Sequence, residues 1–301
     1  MDFFIIAHQR SGSTLLKTLL NQNDNIFIPS ESHILVDWSR KNKTSINEED
    51  FELAMKHERL IDWEAPMLIF PKSCSETFNE VLKKQKPITK SKDALIGDKT
   101  PEYIDIIPFL EKNFPNAKFV VLKRDIIDVI LSLENRGWKG PFLENRITYW
   151  CNGEIAINRL LKENSNSVSI SYEEIINNTD ITIQKILRFL NVEIDLNKTF
   201  TKFDTKDNIT LNEEKSGIHT SLKHGKIKKL SRRHLINQNE MDYIYNISSF
   251  LTEKGKISKS DLFKFYFLKN LGQLIIKIFP ENIFPLLIGI RNFFKPRRTF
   301  E

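Results

Sequence analysis

The chain has 301 residues, of which 40% are hydrophobic, and its formal net charge is +6. This length and apolar content suit one large α/β domain, with or without an appendage. Lysine and arginine are scattered, so the mild positive charge favours an anionic ligand and does not indicate nucleic-acid binding. The two cysteines, Cys74 and Cys151, form neither a disulfide framework nor a metal pattern, and we expect no metal site.

The first apolar run starts almost at residue 1. It covers residues 3–7 and follows Asp2, so it is too short for the apolar region of a signal peptide. We therefore expect a first strand here and a cytoplasmic protein.

Residues 3–16 predict a buried strand, a tight loop and a helix. An apolar run gives way to a polar turn that contains Gly12, and leucines then recur at helical spacing. Such a loop offers backbone N–H groups and a helix N-terminus to an anion, above all to phosphate. The spacing is close to that of a Walker A loop, but Ser13 replaces the expected lysine, and Arg10 is the only cation in the loop. The alternative is an ordinary strand, turn and helix whose loop binds nothing.

Glu31 follows a second short apolar run, residues 26–28. Ligands of open α/β sheets bind beyond the carboxyl ends of the strands, so Glu31 would lie near the first loop as a candidate general base. The alternative is a solvated glutamate in the first turn of a helix over residues 32–40, where the dipole favours it. Residues 41–95 carry no chemical signature and are expected to form helices that could shape an acceptor pocket.

A compact turn at residues 96–103, bracketed by glycine and proline, places Lys99 just before a predicted helix. Thr100 is expected to cap this helix, and Pro101 to occupy its first position. An anion would dock at such a helix start, which makes Lys99 a candidate partner. A surface lysine without function is the alternative.

Residues 118–125 repeat the first pattern, an apolar run that ends in charge, and predict a central parallel strand. Arg124 lies at its carboxyl end, on the binding edge of the sheet. In the helix that follows, Asp128, Ser132 and Arg136 are predicted to share one face. An arginine at this edge, with a serine and an arginine on the helix, would make a second phosphate site.

These motifs resemble those of sulfotransferases that use 3′-phosphoadenosine 5′-phosphosulfate (PAPS), with a pattern most similar to the tyrosylprotein sulfotransferase branch. The stretch RSGST at residues 10–14 is similar to the family's 5′-phosphosulfate loop, usually RSGTT. Lys99, followed by Thr-Pro, resembles the KDP or KSP segment that reaches the sulfuryl group. Glu31 falls at the position of the family's catalytic glutamate. Gln9 stands where the family often has proline, and we expect little effect because that position is not itself a ligand.

The resemblance also implies ligands for the nucleotide. Arg124 and Ser132 resemble the 3′-phosphate site, and Arg136 falls where the tyrosylprotein branch has a further arginine. Tyr172 begins a segment similar to the one whose tyrosine lies by the adenine, and residues 219–226 loosely resemble a late loop that closes over the nucleotide. The implied cofactor-binding residues are Arg10, Ser11, Gly12, Ser13, Thr14, Leu15, Arg124, Ser132, Arg136, Tyr172, Ser221 and Lys226.

We predict an α/β protein with a three-layer, P-loop-like fold, in which helices flank a central parallel sheet, followed by a helical C-terminal extension. The sulfotransferase domain is expected over residues 1–255 and the extension over residues 256–301. Charges interrupt the dense apolar residues of the extension, which favours two amphipathic helices and no membrane span. We expect these helices to pack on protein, with a homodimer or a peripheral contact with a membrane surface as alternatives.

The resemblance implies an enzyme that transfers the sulfuryl group of PAPS to a hydroxyl or amine of a small molecule, glycan or peptide. The product nucleotide would be 3′-phosphoadenosine 5′-phosphate (PAP). Backbone amides of residues 11–15 would hold the phosphosulfate, Arg10 and Lys99 would offset its charge, and Glu31 would take the acceptor proton. No metal is needed. Two alternatives stay open: a P-loop kinase-like phosphotransferase, which would want a lysine at position 13, and a nucleotide-binding module without catalysis.

Overall fold

The computed structural model describes residues 1–140, 142–193, 233–253 and 255. The chain divides into two compact units. The described part of the first unit comprises residues 1–124 and 156–193, and that of the second comprises residues 125–155, 233–253 and 255.

Strands and helices alternate along much of the described chain, as is typical of α/β proteins. The strands are β1 (Phe3–Ala7), β2 (Ile26–Phe27), β3 (Ser45–Ile46), β4 (Lys72–Ser73), β5 (Leu95–Asp98), β6 (Lys118–Lys123) and β7 (Ser167–Ser171). The α-helices are α1 (Ser13–Leu20), α2 (Ile34–Arg40), α3 (Glu48–Met55), α4 (Cys74–Lys84), α5 (Ile107–Asn113), α6 (Ile126–Glu134), α7 (Leu143–Glu163), α8 (Tyr172–Asn177), α9 (Thr179–Leu190) and α10 (Gln238–Glu253). Short 3-10 helices lie at Glu58–Leu60, Pro101–Asp105 and Arg233–Leu235.

A five-stranded parallel sheet forms the centre of the first unit, with the strand order β2-β5-β1-β6-β7. The strand β1 lies in the middle, where Phe3 is opposite Gly97 on one side and Lys118 on the other. The strands β3 and β4 form a separate antiparallel pair. This parallel sheet with its flanking helices confirms the predicted fold class.

The strand β1 is apolar throughout because both faces of the sheet are covered. Phe4 and Ile6 pack into a buried cluster with side chains of α2, α4 and α5. Phe3 and Ile5 point to the other face and pack with α1 and α9. This alternation follows the two-residue period of a strand. Gly97 leaves the space that Phe3 fills, since a Cβ on Gly97 would lie 2.2 Å from the ring's Cζ atom.

In the second unit, α6, α10 and the part of α7 up to residue 155 pack around an apolar cluster. Its buried members include Ile127, Ile130, Ile147, Cys151, Ile244 and Leu251. At the start of α6, the guanidinium of Arg233 pairs with Asp125 at 2.7 Å and with Asp128 at 3.2 Å. The two carboxylates lie where the helix dipole favours negative charge.

The helix after Arg124 is shorter than the sequence predicts. It ends at Glu134, and the chain turns away through Gly137, whose φ is 65°. Arg136 therefore lies beyond the helix. The prediction that it shares a helical face with Asp128 and Ser132 is wrong. The reason is local, because a glycine with a left-handed backbone just after the last turn is a common helix stop.

The helix predicted to begin at Pro101 is divided into two parts. A 3-10 helix over Pro101–Asp105 precedes α5, which starts at Ile107 with Pro108 in its first turn. A proline has no N–H to donate, so one continuous helix through Pro108 would lack a backbone hydrogen bond. Thr100 occupies the N-cap position and Pro101 the first turn of the 3-10 helix, as the sequence predicts, but the side chain of Thr100 makes no capping hydrogen bond within the described residues.

Several predictions concern residues outside the described part of the chain. They concern the roles of Ser221 and Lys226 in the late loop and the helical extension over residues 256–301. Within the described ranges, none of the helices has the length and apolar character needed to cross a bilayer.

Candidate active site

The loop between β1 and α1 ends in an uncapped helix start. Ser11 N donates to the carbonyl of His8 at 3.2 Å and closes the turn. Leu16 N donates to the carbonyl of Gly12 at 3.1 Å, which makes Ser13 the first helical residue. No side chain among the described residues caps this end. The first N–H groups of a helix have no acceptor within it, so they are available to an anion above the loop.

Two residues of this loop have a left-handed backbone, with φ of 71° at Arg10 and 94° at Gly12. Glycine adopts this conformation freely, whereas arginine does so only at a cost. The carbonyl of Arg10 accepts a hydrogen bond from Nη1 of Arg124 at 3.0 Å. The guanidinium of Arg124 in turn lies 4.0 Å from the ring centroid of Tyr172. Side chains from the end of β6 and the start of α8 thus hold the loop in shape.

Lys99 follows β5 and is buried, with only 1% of its surface exposed. Its Nζ donates to Oε1 of Glu31, and it lies 3.4 Å from Oγ1 of Thr14 at the start of α1. A buried ammonium group needs such partners because desolvation of an unpaired charge is costly. The structure therefore excludes the alternative of a surface lysine and brings Lys99 to the start of α1.

A buried pair behind Lys99 fixes the turn that carries it. Tyr103 donates its hydroxyl hydrogen to Oδ2 of Asp98, and Oδ1 of Asp98 accepts from the backbone N–H of Lys99 at 2.8 Å. Burial raises the pKa of Asp98 to about 6, and the hydrogen bonds from Tyr103 and Lys99 only partly oppose this. Burial also raises the pKa of Tyr103 well above its usual value. This pair positions Lys99.

Glu31 lies ahead of α2, whose first residue is Ile34, so it is not a solvated residue of the first turn. Only 19% of its side chain is exposed. Besides Lys99, its carboxylate faces Nε2 of His33 at 3.7 Å and Nη1 of Arg59 at 3.6 Å. Burial alone would raise the pKa of Glu31, but the charge of Lys99 and the contact with His33 outweigh it and hold the pKa well below its usual range. Glu31 is therefore ionised at neutral pH.

Two long-range contacts and one backbone conformation near the site belong to none of the predicted motifs. Arg59 lies in a stretch without a chemical signature and reaches Glu31 from a short 3-10 helix. His33 has a left-handed backbone, with φ of 60°, just before α2. Gln9, which we expected to have little effect, donates from Nε2 to Oε1 of Glu102 at 3.0 Å. No local pattern marks the contacts of Arg59 and Gln9, because each joins parts of the chain that are distant in sequence.

The structure brings together a subset of the residues that the sequence singled out. In the first unit, the loop residues lie with Glu31, Lys99, Arg124 and Tyr172 at the carboxyl ends of the parallel strands. In the second unit, Ser132 lies on α6 and is buried, and Arg136 follows the end of that helix. Their predicted contact with a 3′-phosphate stays a prediction.

The sequence matches the sulfotransferase family over residues 2–196 of 301. The chain belongs to this family, and its reaction is sulfuryl transfer. The match confirms the family resemblance and gives no support to a kinase or to a module without catalysis, while the likeness to the tyrosylprotein branch stays a prediction. Comparison with curated proteins gives no match.

Several solved sulfotransferase structures align with this chain. The sulfotransferase domain of the olefin synthase from Synechococcus PCC 7002 is 21% identical, with 64% of this chain and 74% of that chain covered and a TM-score of 0.49. The corresponding domain of the curacin biosynthetic pathway is 18% identical, with coverages of 82% and 97% and a TM-score of 0.48. A mouse sulfotransferase complexed with PAP is 12% identical, with coverages of 97% and 88% and a TM-score of 0.39.

Proposed function

We propose that the chain uses PAPS as its sulfuryl donor and that Lys99 and Glu31 form its catalytic centre. The observation that carries this proposal is the position of Lys99. It is a buried cation that contacts the carboxylate of Glu31 and lies 3.4 Å from Thr14 on the anion-binding loop. A cation, a base and a phosphate-binding helix start therefore meet around one side chain.

The loop fits the 5′-phosphosulfate of the donor. The N–H groups at the start of α1 have no acceptor within the helix, and no described side chain takes them. Arg10 adds a positive charge, and Gly12 supplies the left-handed backbone, with a φ of 94°, that leads into the helix start. The proposed ligands of the phosphosulfate are Arg10, Ser11, Gly12, Ser13, Thr14 and Leu15.

The proposed reaction is an in-line displacement at sulfur. The acceptor oxygen attacks sulfur, the bond from sulfur to the bridging phosphate oxygen breaks, and PAP leaves with the electron pair. Glu31 takes the proton of the acceptor hydroxyl, a contribution worth roughly 10²–10⁴ in rate. Lys99 would turn from Glu31 towards the sulfuryl oxygens and the leaving phosphate, where negative charge develops. An amine acceptor would react in the same way.

For the rest of the nucleotide, the sequence-based assignments stand as proposals. Arg124, Ser132 and Arg136 are proposed to bind the 3′-phosphate, and Ser221 and Lys226 to close over the nucleotide. Tyr172 is buried between Gly12 and Arg124, so we propose that it acts on the nucleotide by holding these two ligands.

Titration calorimetry with PAP, ADP and ATP–Mg²⁺ tests this proposal. We expect PAP to bind much more tightly than ADP, because only PAP carries the 3′-phosphate. Arg124→Ala should remove most of this preference, since a charge-assisted contact is lost. Arg159→Ala is the control, because Arg159 pairs with Glu111 away from the loop. Equal affinities of the unmutated protein for PAP and ADP would contradict the proposal.

The reaction also needs an acceptor for the sulfuryl group. We propose a hydroxyl or amine of a small molecule, glycan or peptide, to be identified by screening acceptors with labelled PAPS. The cytoplasmic location stays a prediction. A homodimer or a peripheral membrane contact through residues 256–301 would involve residues outside the described ranges.

A further inference from the structure

The imidazole of His33 lies between two carboxylates. Its Nε2 is 3.7 Å from Oε2 of Glu31, and its Nδ1 is 3.7 Å from Oε2 of Glu102. Only 14% of the His33 side chain is exposed. A neutral imidazole can donate from one nitrogen only, whereas an imidazolium donates from both. The arrangement therefore fits a positively charged His33 with one carboxylate on each side.

The surroundings of His33 are held from several sides. Glu102 is fixed by Gln9 of the phosphate-binding loop, whose Nε2 donates to Oε1. The left-handed backbone of His33 carries strain, which persists only where the surrounding structure enforces it. The ring of His57 stacks on that of His33, with centroids 6.3 Å apart. Within the described ranges, no group of histidine, cysteine and acidic side chains is arranged to hold a metal ion.

The catalytic cycle creates a need for this charge. Lys99 contacts Glu31 in the structure, and its pairing with Glu31 weakens when it turns towards the sulfuryl group in the proposed reaction. A buried carboxylate that loses its cation tends to take up a proton, and a protonated Glu31 cannot act as a base. A second cation beside Glu31 would keep this carboxylate ionised when Lys99 turns away.

We propose that the imidazolium of His33, held by Glu102, is a positioning residue that keeps Glu31 ionised and oriented while Lys99 engages the sulfuryl group. This inference rests on the proposed function. Arg59 also faces Glu31, but 48% of its side chain is exposed, so solvent screens its charge. During transfer the acceptor proton goes to Glu31, and His33 keeps its own protons.

The pH dependence of turnover tests the proposal, with release of labelled sulfate from PAPS as the assay and water as the acceptor. His33→Asn is the main variant, because asparagine tolerates a left-handed backbone but carries no charge. We expect kcat to fall about 10-fold or more at neutral pH. The acidic limb of the pH profile, where kcat falls as Glu31 takes up a proton, should move to higher pH by about one unit or more. KM for PAPS should change little. A merely structural role would lower kcat equally at every pH.

Glu102→Gln is the second variant. Removing its negative charge takes away one of the two carboxylates that face the His33 ring, so kcat should change in the same direction as in His33→Asn, but less. Glu111→Gln is the matched control, since Glu111 has the same exposed fraction of 26% and pairs with Arg159 away from the loop. It should leave the profile unchanged. Arg59→Gln should move the acidic limb less than His33→Asn does.

A readout that does not need turnover completes the test. The carboxyl carbon shift of Glu31 in NMR spectra of the PAP complex reports its protonation, and we expect protonation at higher pH in His33→Asn than in the unmutated protein. The role of His33 is overturned if Glu31 titrates alike in His33→Asn and in the unmutated protein, or if Arg59→Gln moves the acidic limb of kcat more than His33→Asn does. The proposed function stands in either case. If PAP does not bind the unmutated protein, the proposed function itself fails.

Discussion

The ring of Tyr172 packs so closely on Gly12 that a Cβ at this position would lie 2.5 Å from the ring's Cδ2 atom. Gly12 also has a φ of 94°, which side-chain-bearing residues rarely adopt. Two independent constraints therefore require glycine at this position in the loop between β1 and α1. One is the backbone conformation, and the other is a tyrosine from the opposite end of the first unit's sequence.

Gly12→Ala is expected to destabilise the protein by about 2–4 kcal/mol, the sum of left-handed backbone strain and overpacking against Tyr172. PAP binding should be lost as well. Gly137→Ala is the control, because Gly137 has a φ of 65° but no described atom lies within 4 Å of the position that a Cβ would take. It should cost only the backbone part, about 1–2 kcal/mol. Denaturant unfolding measures the loss of unfolding free energy in both variants. Equal losses in Gly12→Ala and Gly137→Ala would contradict the packing argument.

Lys99→Met should lower kcat by roughly 10²–10³ because the developing charge on the sulfuryl group loses its cation. It should also destabilise the fold, since breaking a buried ion pair costs about 3–5 kcal/mol and Glu31 retains its burial. Adding Glu31→Gln should recover part of that stability. A double-mutant cycle on unfolding free energies provides the measurement, and strictly additive losses would mean that the two side chains are not coupled.

Glu31→Gln should reduce kcat by roughly 10²-fold or more, because the amide cannot take the acceptor proton. The affinity for PAP should not fall, since the variant leaves Lys99 without a competing carboxylate. Glu111→Gln is again the control. Turnover at the normal rate would show that the base lies elsewhere.

The stability contribution of Asp98 should depend on pH. Burial raises the pKa of this group from its ordinary value of 3.8 to about 6, so the folded protein binds a proton that the unfolded chain has lost in that interval. The contribution is fully present below about pH 4 and is lost as the pH rises through about 6. The unfolding free energy of the unmutated protein minus that of Asp98→Asn should thus fall by on the order of 2–3 kcal/mol between pH 4 and 7. A difference that stays flat over this range would contradict the assignment.

Deletion of residues 260–301 should leave PAP binding intact, because every proposed nucleotide ligand lies earlier in the chain. Oligomeric state or solubility should change, since an apolar sequence is removed. Calorimetry and sedimentation of the truncated protein measure the two effects. A folded truncation that no longer binds PAP would show that these residues complete the site.

The parts of the fold that were predictable depend on local patterns. The apolar run of β1, the glycine of the loop and the leucine spacing of α1 lie within a few turns of one another. The end of α6 was predictable in principle, because Gly137 is a helix stop signal. It was missed because Arg136 was assigned by its four-residue spacing from Ser132.

The contacts that define the site were not predictable in this way. The position of Glu31 after β2 indicated its edge of the sheet, but the pairing with Lys99 depends on β2 lying beside β5. Arg59 reaches the same carboxylate from a segment whose path no periodicity reveals. Sequence patterns locate strand ends, whereas strand order decides which strand ends meet.

The central position of β1 has a consequence for synthesis on the ribosome. This strand emerges before its partners β5 and β6, and Tyr172 follows still later. Parallel partners so distant in sequence make a slow fold, and an apolar strand waiting for them is exposed to aggregation. A nascent chain that ends before β6 leaves β1 unpaired on one side. We therefore expect arrested chains to acquire nucleotide binding only once residues beyond Tyr172 have left the exit tunnel.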